Sequence, residues 1–131
     1  INIYGDPTNL GMAVSNLLDN AIKYNTANGQ VTVSLQKMKD KPYVQVSIKD
    51  TGLGIPPEDV KKLFGKFFRS SNALTKETTG SGLGLYITRN IIRRHGGEKS
   101  VASELNRGTT FSFTLPTDPA LVPQKEMLYG E

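Results

Sequence analysis

Residues 16–24 read NLLDNAIKY, and they form the second half of a helix that the sequence pattern predicts from about residue 6 to residue 24. At about 100° per residue, one broad arc of this helix is apolar, while Asn16, Asn20 and Lys23 lie together on the nearly opposite side. Mid-helix asparagine is less favourable than alanine by roughly 0.5 kcal/mol, yet taken alone the polar stripe favours an ordinary solvated face. The residues expected in the core are Leu10, Val14, Leu17, Leu18, Ala21 and Ile22.

Bulk composition limits what the chain can be. It has 131 residues, no cysteine and a formal net charge of +4. The length suits one domain with a single core, and the lack of cysteine excludes disulfides and thiolate metal sites. The charge suits a polyanionic ligand, but the basic residues are scattered and do not alternate with aromatics, so we expect no nucleic-acid partner. The first residue is Ile1 and no signal or membrane segment follows, so we expect a fragment of a longer polypeptide.

Alternating apolar and polar residues predict two β-hairpins. Residues 31–36 and 44–49 flank a turn at 40–42, with Val31, Val33 and Leu35 on the apolar face, and a second hairpin flanks a turn at 106–108. Asp50 continues the parity of the apolar positions 44, 46 and 48, so it is expected to point inward, where a carboxylate needs a partner. A simple Asp-x-Gly turn that bonds nearby backbone amides explains Asp50 equally well.

The middle of the chain predicts two more helices separated by a loop. Pro56 and Pro57 favour a helix start, and Val60, Leu63, Phe64 and Phe67 follow at helical spacing. Residues 70–79 have no apolar periodicity and suit either an inert linker or a lid. Residues 80–84 read GSGLG and lead into a helix, an arrangement that presents free N–H groups to a phosphate but is a weak signal alone.

The last third of the chain predicts a helix end and a tail. His95, the only histidine, precedes two glycines and is expected to be a structural C-cap. Prolines at 116, 119 and 123 make regular structure unexpected over residues 117–131. Because both hairpins have one polar face, the sheet should be packed on one side only. We therefore expect an α+β fold, a two-layer α/β sandwich with a mixed, mostly antiparallel sheet and three helices on one face.

Four blocks of sequence together resemble a known family. The stretches NLLDNAIKY (16–24), DTGLGI (50–55), LFGKFFR (63–69) and GSGLGL (80–85) are similar, in order and separation, to the N, G1, F and G2 boxes of the catalytic, ATP-binding domain of bacterial sensor histidine kinases. The resemblance covers about residues 6–116. It implies a histidine kinase catalytic domain over residues 1–116, an ATP lid at about 70–79, and a tail or linker over 117–131.

The resemblance also implies ligands and partners. ATP and Mg²⁺ would be the cofactors, and the γ-phosphate would pass to a histidine on a separate upstream helical dimerisation domain, with a response regulator as an indirect partner. The full-length protein would be a homodimer and this fragment a monomer. The resemblance places the domain in the cytoplasm and leaves open an anchor of the full-length protein in the inner membrane.

Residue roles are carried over from the matched boxes. By resemblance, Asp50 reads adenine, Asn20 gives its amide oxygen to Mg²⁺, and Asn16, Lys23 and Arg69 are the catalytic residues. The full set implied to bind the nucleotide is Asn16, Asn20, Lys23, Tyr24, Asp50, Gly52, Gly54, Ile55, Arg69, Lys76, Gly80, Ser81, Gly82, Leu83 and Gly84.

The residue four positions before Asn20 bears on the type of reaction. Hydrolytic ATPases with the same site place a glutamate four residues before the metal-binding asparagine, whereas this chain has Asn16 there, so a phosphotransferase is favoured over a motor-like ATPase. Asp19 is better explained as a solvated side chain or a partner of Lys23 one turn on. Two alternatives to a histidine kinase stay open. One is a protein serine kinase of the anti-sigma-factor type, and the other is a regulatory domain that binds ATP without transferring phosphate.

Overall fold

The computed structural model describes residues 2–65 and 83–123. The lid predicted at about 70–79, and with it Arg69, Lys76, Gly80, Ser81 and Gly82, lies outside the described residues. Within the described part, no helix combines the length and apolar character needed to cross a membrane. The elements in chain order are α1 (Pro7–Lys23), β1 (Val31–Lys37), β2 (Tyr43–Asp50), α2 (Pro57–Val60), α3 (Gly84–Arg94), β3 (Lys99–Glu104), β4 (Gly108–Pro116) and a short 3₁₀ turn (Pro119–Leu121).

The first helix begins and ends where the sequence predicts. Asp6 is its N-cap, and one carboxylate oxygen accepts hydrogen bonds from the backbone N–H groups of Thr8 (2.9 Å) and Asn9 (3.4 Å). Pro7 occupies the first helical position, where its missing N–H costs nothing and its fixed φ suits the helix. Tyr24 is the C-cap.

The four described strands form one open sheet in the order β1-β2-β4-β3. Both predicted hairpins are confirmed, since β1 pairs with β2 and β3 pairs with β4, and β2 pairs with β4 at the centre. All of these pairings are antiparallel, so the parallel pair that a mixed sheet allowed is not present among residues 2–65 and 83–123. The α+β fold is confirmed, with helices packed on one face of an open sheet.

The core lies between this sheet face and the helices. Inward positions of the central strands alternate with polar positions, because successive side chains of a strand point to opposite faces. The rings of Phe64 and Phe111 meet edge to face, with centroids 6.0 Å apart and an interplanar angle of 84°. The buried cluster consists of Leu17, Ala21, Val44, Ile48, Leu63, Phe64, Ile92, Phe111, Phe113 and Leu115.

Three residues predicted on apolar faces, Ile22 of α1 and Val33 and Leu35 of β1, are exposed. Ile22 is 65% exposed because it lies about 140° round α1 from the buried Leu17, whereas the buried Ala21 lies only about 40° from it. Val33 and Leu35 are 54% and 63% exposed because β1 is an edge strand, and α1 contacts β2 rather than reaching over β1. The interpretation of their parity was right, but parity does not say whether a helix covers the strand.

The segment after β4 packs back onto the domain. The backbone N–H of Thr117 donates to the carbonyl of Pro42 at 2.8 Å, and Asp118 caps the 3₁₀ turn Pro119–Leu121 by accepting from the N–H of Ala120 at 2.9 Å. The prediction that residues 117–131 lack regular structure is therefore wrong for this turn, since a proline in the first turn of a helix is tolerated.

Candidate functional site

The middle of α1 is joined to the start of α3 through Asn16. Asn16 is half-buried, and its Nδ2 donates to the carbonyl of Gly84 and to the hydroxyl of Thr88, both at 3.3 Å. The Thr88 hydroxyl in turn donates to the same Gly84 carbonyl at 2.8 Å. These bonds join the middle of α1 to the first turn of α3, so Asn16 has a structural role whatever else it does.

The two other members of the polar stripe have different surroundings. Asn20 is half-buried and its side chain makes no hydrogen bond to the described residues, so its amide is free to contact a ligand. Lys23 is exposed in the last turn of α1, where a cation complements the helix dipole. The structure thus places a half-buried amide and an exposed ammonium on one side of α1.

Asp50 points into the protein, as its parity predicts, and is 6% exposed. Its Oδ1 accepts two hydrogen bonds, from the backbone N–H of Gly52 at 2.9 Å and from that of Thr109 at 3.2 Å. The first bond is the Asp-x-Gly turn; the second fixes the carboxylate to β4. Oδ2 has no donor among the described residues, so one oxygen of a buried carboxylate can still accept a hydrogen bond from a ligand.

The surroundings of this carboxylate also change its titration. Burial removes water from the ionised form and raises the pKa of Asp50, while the hydrogen bonds from Gly52 and Thr109 act in the opposite direction and are the smaller effect. A carboxyl whose pKa is raised by burial is typical of functional sites but also occurs in structural networks.

The loop after Asp50 is held against α1 and the β3–β4 turn. The N–H of Leu53 donates to the carbonyl of Tyr24 at 3.1 Å, and a Cβ at Gly52 would meet that same carbonyl. Gly54 has a φ of 72°, and a Cβ there would meet the backbone carbonyl of Glu104. Both glycines are therefore required by close approach of protein backbone, a reason independent of any ligand.

Ile55 extends this loop toward the sheet. Its backbone N–H donates to the hydroxyl of Ser103 at 2.8 Å, and its half-buried side chain packs against the core cluster. The loop is thus fixed at both ends, by Tyr24 and by Ser103, which makes residues 51–55 a rigid wall rather than a free turn.

The start of α3 has no side-chain cap among the described residues. The helix begins at Gly84, and its N-cap residue, Leu83, offers no side-chain hydrogen bond to the first turn. The first N–H groups of a helix have no partner within the helix and carry a partial positive charge, so an anion can satisfy them. A Cβ on Gly84 would lie 4.0 Å from Cγ of Asn16, which shows how closely this helix start approaches α1.

The predicted site residues divide into three groups. Asn16 and Gly84 are brought together directly, and Tyr24 is joined to the loop of Asp50. Lys23 and Asn20 lie on the same helix as Asn16, and within residues 2–65 and 83–123 their side chains make no hydrogen bond to the other predicted site residues. The remaining predicted residues, Arg69, Lys76, Gly80, Ser81 and Gly82, lie outside the described part, and their roles stay predictions.

The donor set suits a magnesium ion that is bound mainly through a ligand. Among residues 2–65 and 83–123, no group of three or more histidine, cysteine or acidic side chains could hold a metal. Mg²⁺ is commonly held by one or two protein oxygens together with waters and substrate phosphates rather than by a protein cage. The half-buried Asn20 amide fits such a single protein ligand.

Sequence reasoning missed three hydroxyl residues at this site. Thr88 is fully buried and links Asn16 to Gly84, and Thr109 is buried beside Asp50 with its hydroxyl 2.8 Å from that of Ser103. A signal for Thr109 was present, since it has the same parity as the inward Phe111 and Phe113 and directly follows the turn. No comparable signal pointed to Thr88 before the packing of α1 on α3 was known.

His95 takes no part in this site. It is 8% exposed, its Nε2 accepts from the backbone N–H of Asp6 at 3.0 Å, and its Nδ1 lies 2.8 Å from the carbonyl of Ile91. Since a backbone N–H can only donate, Nε2 must be the unprotonated nitrogen and Nδ1 the donor. The prediction of a structural C-cap is therefore confirmed.

Comparison with known families shows which class of protein this fold and site belong to. The matching class is an ATPase domain, and its family model spans residues 5–119. The chain belongs to this family, which is described as "Histidine kinase-, DNA gyrase B-, and HSP90-like ATPase".

Individual relatives are more specific. The sensor histidine kinase WalK of Bacillus subtilis (strain 168) is 38% identical over 111 residues, which are 85% of this chain but only 18% of that protein. The solved structure of the mycobacterial sensor histidine kinase MprB superposes with a TM-score of 0.79 at 38% identity, covering 87% of this chain and 76% of that one. Full-length ShkA in complex with AMPPNP gives a TM-score of 0.71 at 31% identity, covering 87% of this chain and 22% of that one. The resemblance to sensor histidine kinase catalytic domains is thereby confirmed.

Proposed function

We propose that this chain binds Mg-ATP and donates the γ-phosphate to a histidine on a separate helical dimerisation domain of the same polypeptide. The observation that carries the proposal is the buried carboxylate of Asp50, which has both backbone bonds on Oδ1 and leaves Oδ2 to accept a hydrogen bond. An exocyclic amine such as that of adenine is the donor this oxygen suits. ShkA, one of the similar structures, holds the ATP analogue AMPPNP.

In this proposal each element contributes one part of the binding. Asp50 accepts from the adenine amine, and the rigid loop 51–55 lies against the base. The uncapped first turn of α3 donates backbone N–H groups to phosphate. Asn20 and Lys23, on one side of α1, approach the polyphosphate, and Asn20 would hold Mg²⁺ through its amide oxygen. Mg²⁺ held there would supply positive charge against the negative charge that develops on the phosphate oxygens during transfer.

The arrangement supports phosphotransfer rather than hydrolysis. Hydrolysis requires a base that orients and deprotonates water, but the position four residues before Asn20 is Asn16, whose amide donates to Gly84 and Thr88. Phosphoryl transfer instead needs positioning and charge neutralisation, which an ordered pocket supplies. Arg69 and Lys76 would add positive charge from the segment outside the described residues.

The acceptor histidine must lie outside this chain. His95 is buried with both ring nitrogens in hydrogen bonds, so neither nitrogen is free to attack a phosphate. We infer that residues 1–116 form the catalytic unit in the cytoplasm, that residues 117–131 are a tail or linker, and that the full-length protein is a homodimer that signals to a response regulator. The inference is supported by relatives that are sensor histidine kinases, such as WalK, of which this chain matches 18%.

Transfer of labelled phosphate tests the proposal. The chain is incubated with γ-labelled Mg-ATP and the helical dimerisation domain of the same polypeptide, and the phosphate on that domain is followed after acid and base treatment. Acid-labile, base-stable label supports histidine transfer, and it should be lost with Asn20→Ala. Acid-stable label would indicate a serine kinase, and free phosphate without labelled protein would indicate a hydrolase; either result overturns the proposal.

A further inference from the structure

A second opening lies on the other side of α3. It is a cleft of about 450 Å³ between the end of α2, the middle of α3 and the start of β3. Thr88 faces α1 through Asn16, whereas the next residue, Arg89, projects about 100° further round α3 and lines this cleft. The cleft is therefore distinct from the proposed ATP site. Its lining residues are Val60, Lys61, Lys62, Phe64, Gly65, Arg89, Lys99, Ser100 and Val101.

The lining combines an apolar floor with an excess of positive charge. Val60, Phe64 and Val101 are apolar, and the ammonium of Lys99 lies 4.9 Å from the centroid of the Phe64 ring. The basic residues come from three different elements, and none of the residues that line the cleft is acidic. None of the four basic side chains makes an ion pair within the described part of the chain. Like charges collected at one opening repel one another, and an anionic occupant would remove that repulsion. The basic residues are Lys61, Lys62, Arg89 and Lys99.

Arg89 supplies an independent sign of a missing partner. Its guanidinium carbon lies 5.5 Å from the ring centroid of Tyr86, one turn back on α3, which fixes the side chain along the helix. Its Nε is buried and has no hydrogen-bond partner within residues 2–65 and 83–123. A buried donor without an acceptor costs free energy, and a carboxylate reaching into the cleft would accept from it.

The geometry of β3 indicates an extended occupant. β3 is the last strand of the sheet and pairs only with β4 among the described strands. The loop 53–55 lies beside its far end at Ser103 and Glu104, so an added strand would use the part of the edge at residues 99–101, which lines the cleft. Lys99 and Val101 are half-buried and pair with the inward Phe113 and Phe111, so their side chains lie on the cleft side. Ser100 also borders the cleft, but its exposed side chain has the opposite parity. A peptide that adds as a strand to an open edge places alternate side chains on each face. An inward lysine on an edge strand can also discourage unwanted pairing, but that role does not explain Arg89, Lys61 or Lys62.

We propose that the cleft between α2, α3 and β3 binds an acidic peptide segment of a partner protein. The segment lies along β3 as an added strand, with alternate side chains directed into the cleft. Three alternate side chains of the segment enter the cleft. The outer two are carboxylates that face Lys99 and Arg89, and the middle one is apolar and contacts Phe64 and Val101. The exposed Lys61 and Lys62 at the end of α2 attract the segment at longer range, a contribution that salt weakens.

The test uses two short peptides and the 131-residue chain. The acidic probe is acetyl-Glu-Ser-Val-Ser-Glu-amide, whose alternate side chains place carboxylate, valine and carboxylate on one face of a strand, and its charge-reversed counterpart has lysine in place of glutamate. Binding is followed by chemical-shift changes of backbone amides, with and without saturating Mg-ATP. We expect the acidic probe alone to shift residues 61–65, 89 and 99–101, and Mg-ATP not to displace it. Shifts centred on residues 50–55 and 84, or displacement by Mg-ATP, would place the peptide in the nucleotide site and overturn the proposal.

Variants separate this site from general attraction to a basic protein. The double variant Arg89→Gln/Lys99→Gln should weaken the acidic probe about tenfold, because it removes both charges that face the carboxylates. If the double variant unfolds, Lys99→Gln alone replaces it in the test. This single change at the half-buried edge position should cause part of the same loss of affinity. Lys41→Gln, which removes one charge from the exposed β1–β2 turn, is the matched control and should have no effect. Equal losses in Lys41→Gln and Lys99→Gln, or no binding of the acidic probe to the unmodified chain, would contradict the proposal.

Discussion

The backbone N–H of Asp6 donates to Nε2 of His95 at 3.0 Å, and this bond joins the N-cap of α1 to the C-cap of α3. The two residues are far apart in sequence, and the imidazole also bonds the Ile91 carbonyl. A Cβ on Gly5 would meet the imidazole ring, so the chain entering α1 is packed closely against it. The only histidine of the chain thus links α1 to α3 by hydrogen bonds.

Replacing this histidine should destabilise the fold. His95→Ala leaves the Asp6 N–H and the Ile91 carbonyl without their ring partners, so we expect the free energy of unfolding to fall by about 2 kcal/mol. Urea denaturation followed by circular dichroism measures this. Arg94→Ala, an exposed neighbour in the same turn, should change it by less than about 0.5 kcal/mol. Acid-labile phosphate on His95 itself after incubation with ATP would contradict the structural role.

Removing the free amide of α1 should affect binding but not folding. Asn20 makes no side-chain hydrogen bond to the described residues, so Asn20→Ala should leave the fold intact and slightly favour the helix. Titration calorimetry should show Mg-ATP affinity at least about tenfold weaker, since the metal loses its protein ligand. Asn90→Ala in α3 is the matched control. Unchanged Mg-ATP affinity in Asn20→Ala would count heavily against the assigned role.

The role of Asp50 can be separated from that of the phosphate-binding elements. Asp50→Asn keeps an oxygen for the backbone bonds from Gly52 and Thr109 but replaces the other acceptor with a donor. We expect ATP to lose at least about tenfold in affinity while pyrophosphate, which has no base, binds as before. Calorimetry with both ligands measures the difference. If the two ligands lost affinity equally, Asp50 would be a turn residue only.

The pH dependence of stability reports on the same carboxyl. Burial raises the pKa of Asp50 above its ordinary value of 3.8, so the folded protein keeps this proton at pH values where the unfolded chain has lost it. The free energy of unfolding should therefore fall as the pH rises through that interval, relative to Asp50→Asn, which has no proton to lose. Urea midpoints of both proteins across the acidic range measure the difference. A constant difference between them would show that the pKa is the same in both states.

Two glycines offer a matched pair with opposite expectations. Gly54→Ala forces a side chain into a positive-φ position against the backbone of Glu104, so it should destabilise by more than about 1 kcal/mol. Gly11→Ala lies inside α1 with open space around it and should stabilise by roughly 0.5–1 kcal/mol. Thermal denaturation of both variants gives the comparison. Similar effects of the two substitutions would contradict the backbone geometry described for the loop.

Local chemistry could be predicted from the sequence where a single residue type decides it. The cap at Asp6, the inward direction of Asp50 and the start of α3 at Gly84 all depend on short-range rules, and the structure shows each of them. The two hairpins followed from alternation of side chains across a strand. The family assignment did not follow from such rules. It depended on a resemblance to a known family in the order and spacing of four sequence blocks.

Features that depend on how elements pack together could not be predicted in this way. Neither the exposure of Leu35 nor the link from Asn16 to Thr88 follows from periodicity, because both depend on which strand and which helix lie beside α1. The burial of Ser112 on the outer sheet face, where its hydroxyl lies 2.9 Å from that of Ser47, is a further case. Roles assigned to Arg69 and the glycine-rich turn stay predictions.

The uncovered strand β1 has a practical consequence for anyone handling this chain. An edge that exposes valine and leucine, and whose backbone pairs with no further strand in the described part of the chain, can recruit the same edge of another molecule, and such contacts grow with protein concentration. We therefore expect self-association through β1, rather than unfolding of the core, to set the highest concentration at which this chain stays monomeric.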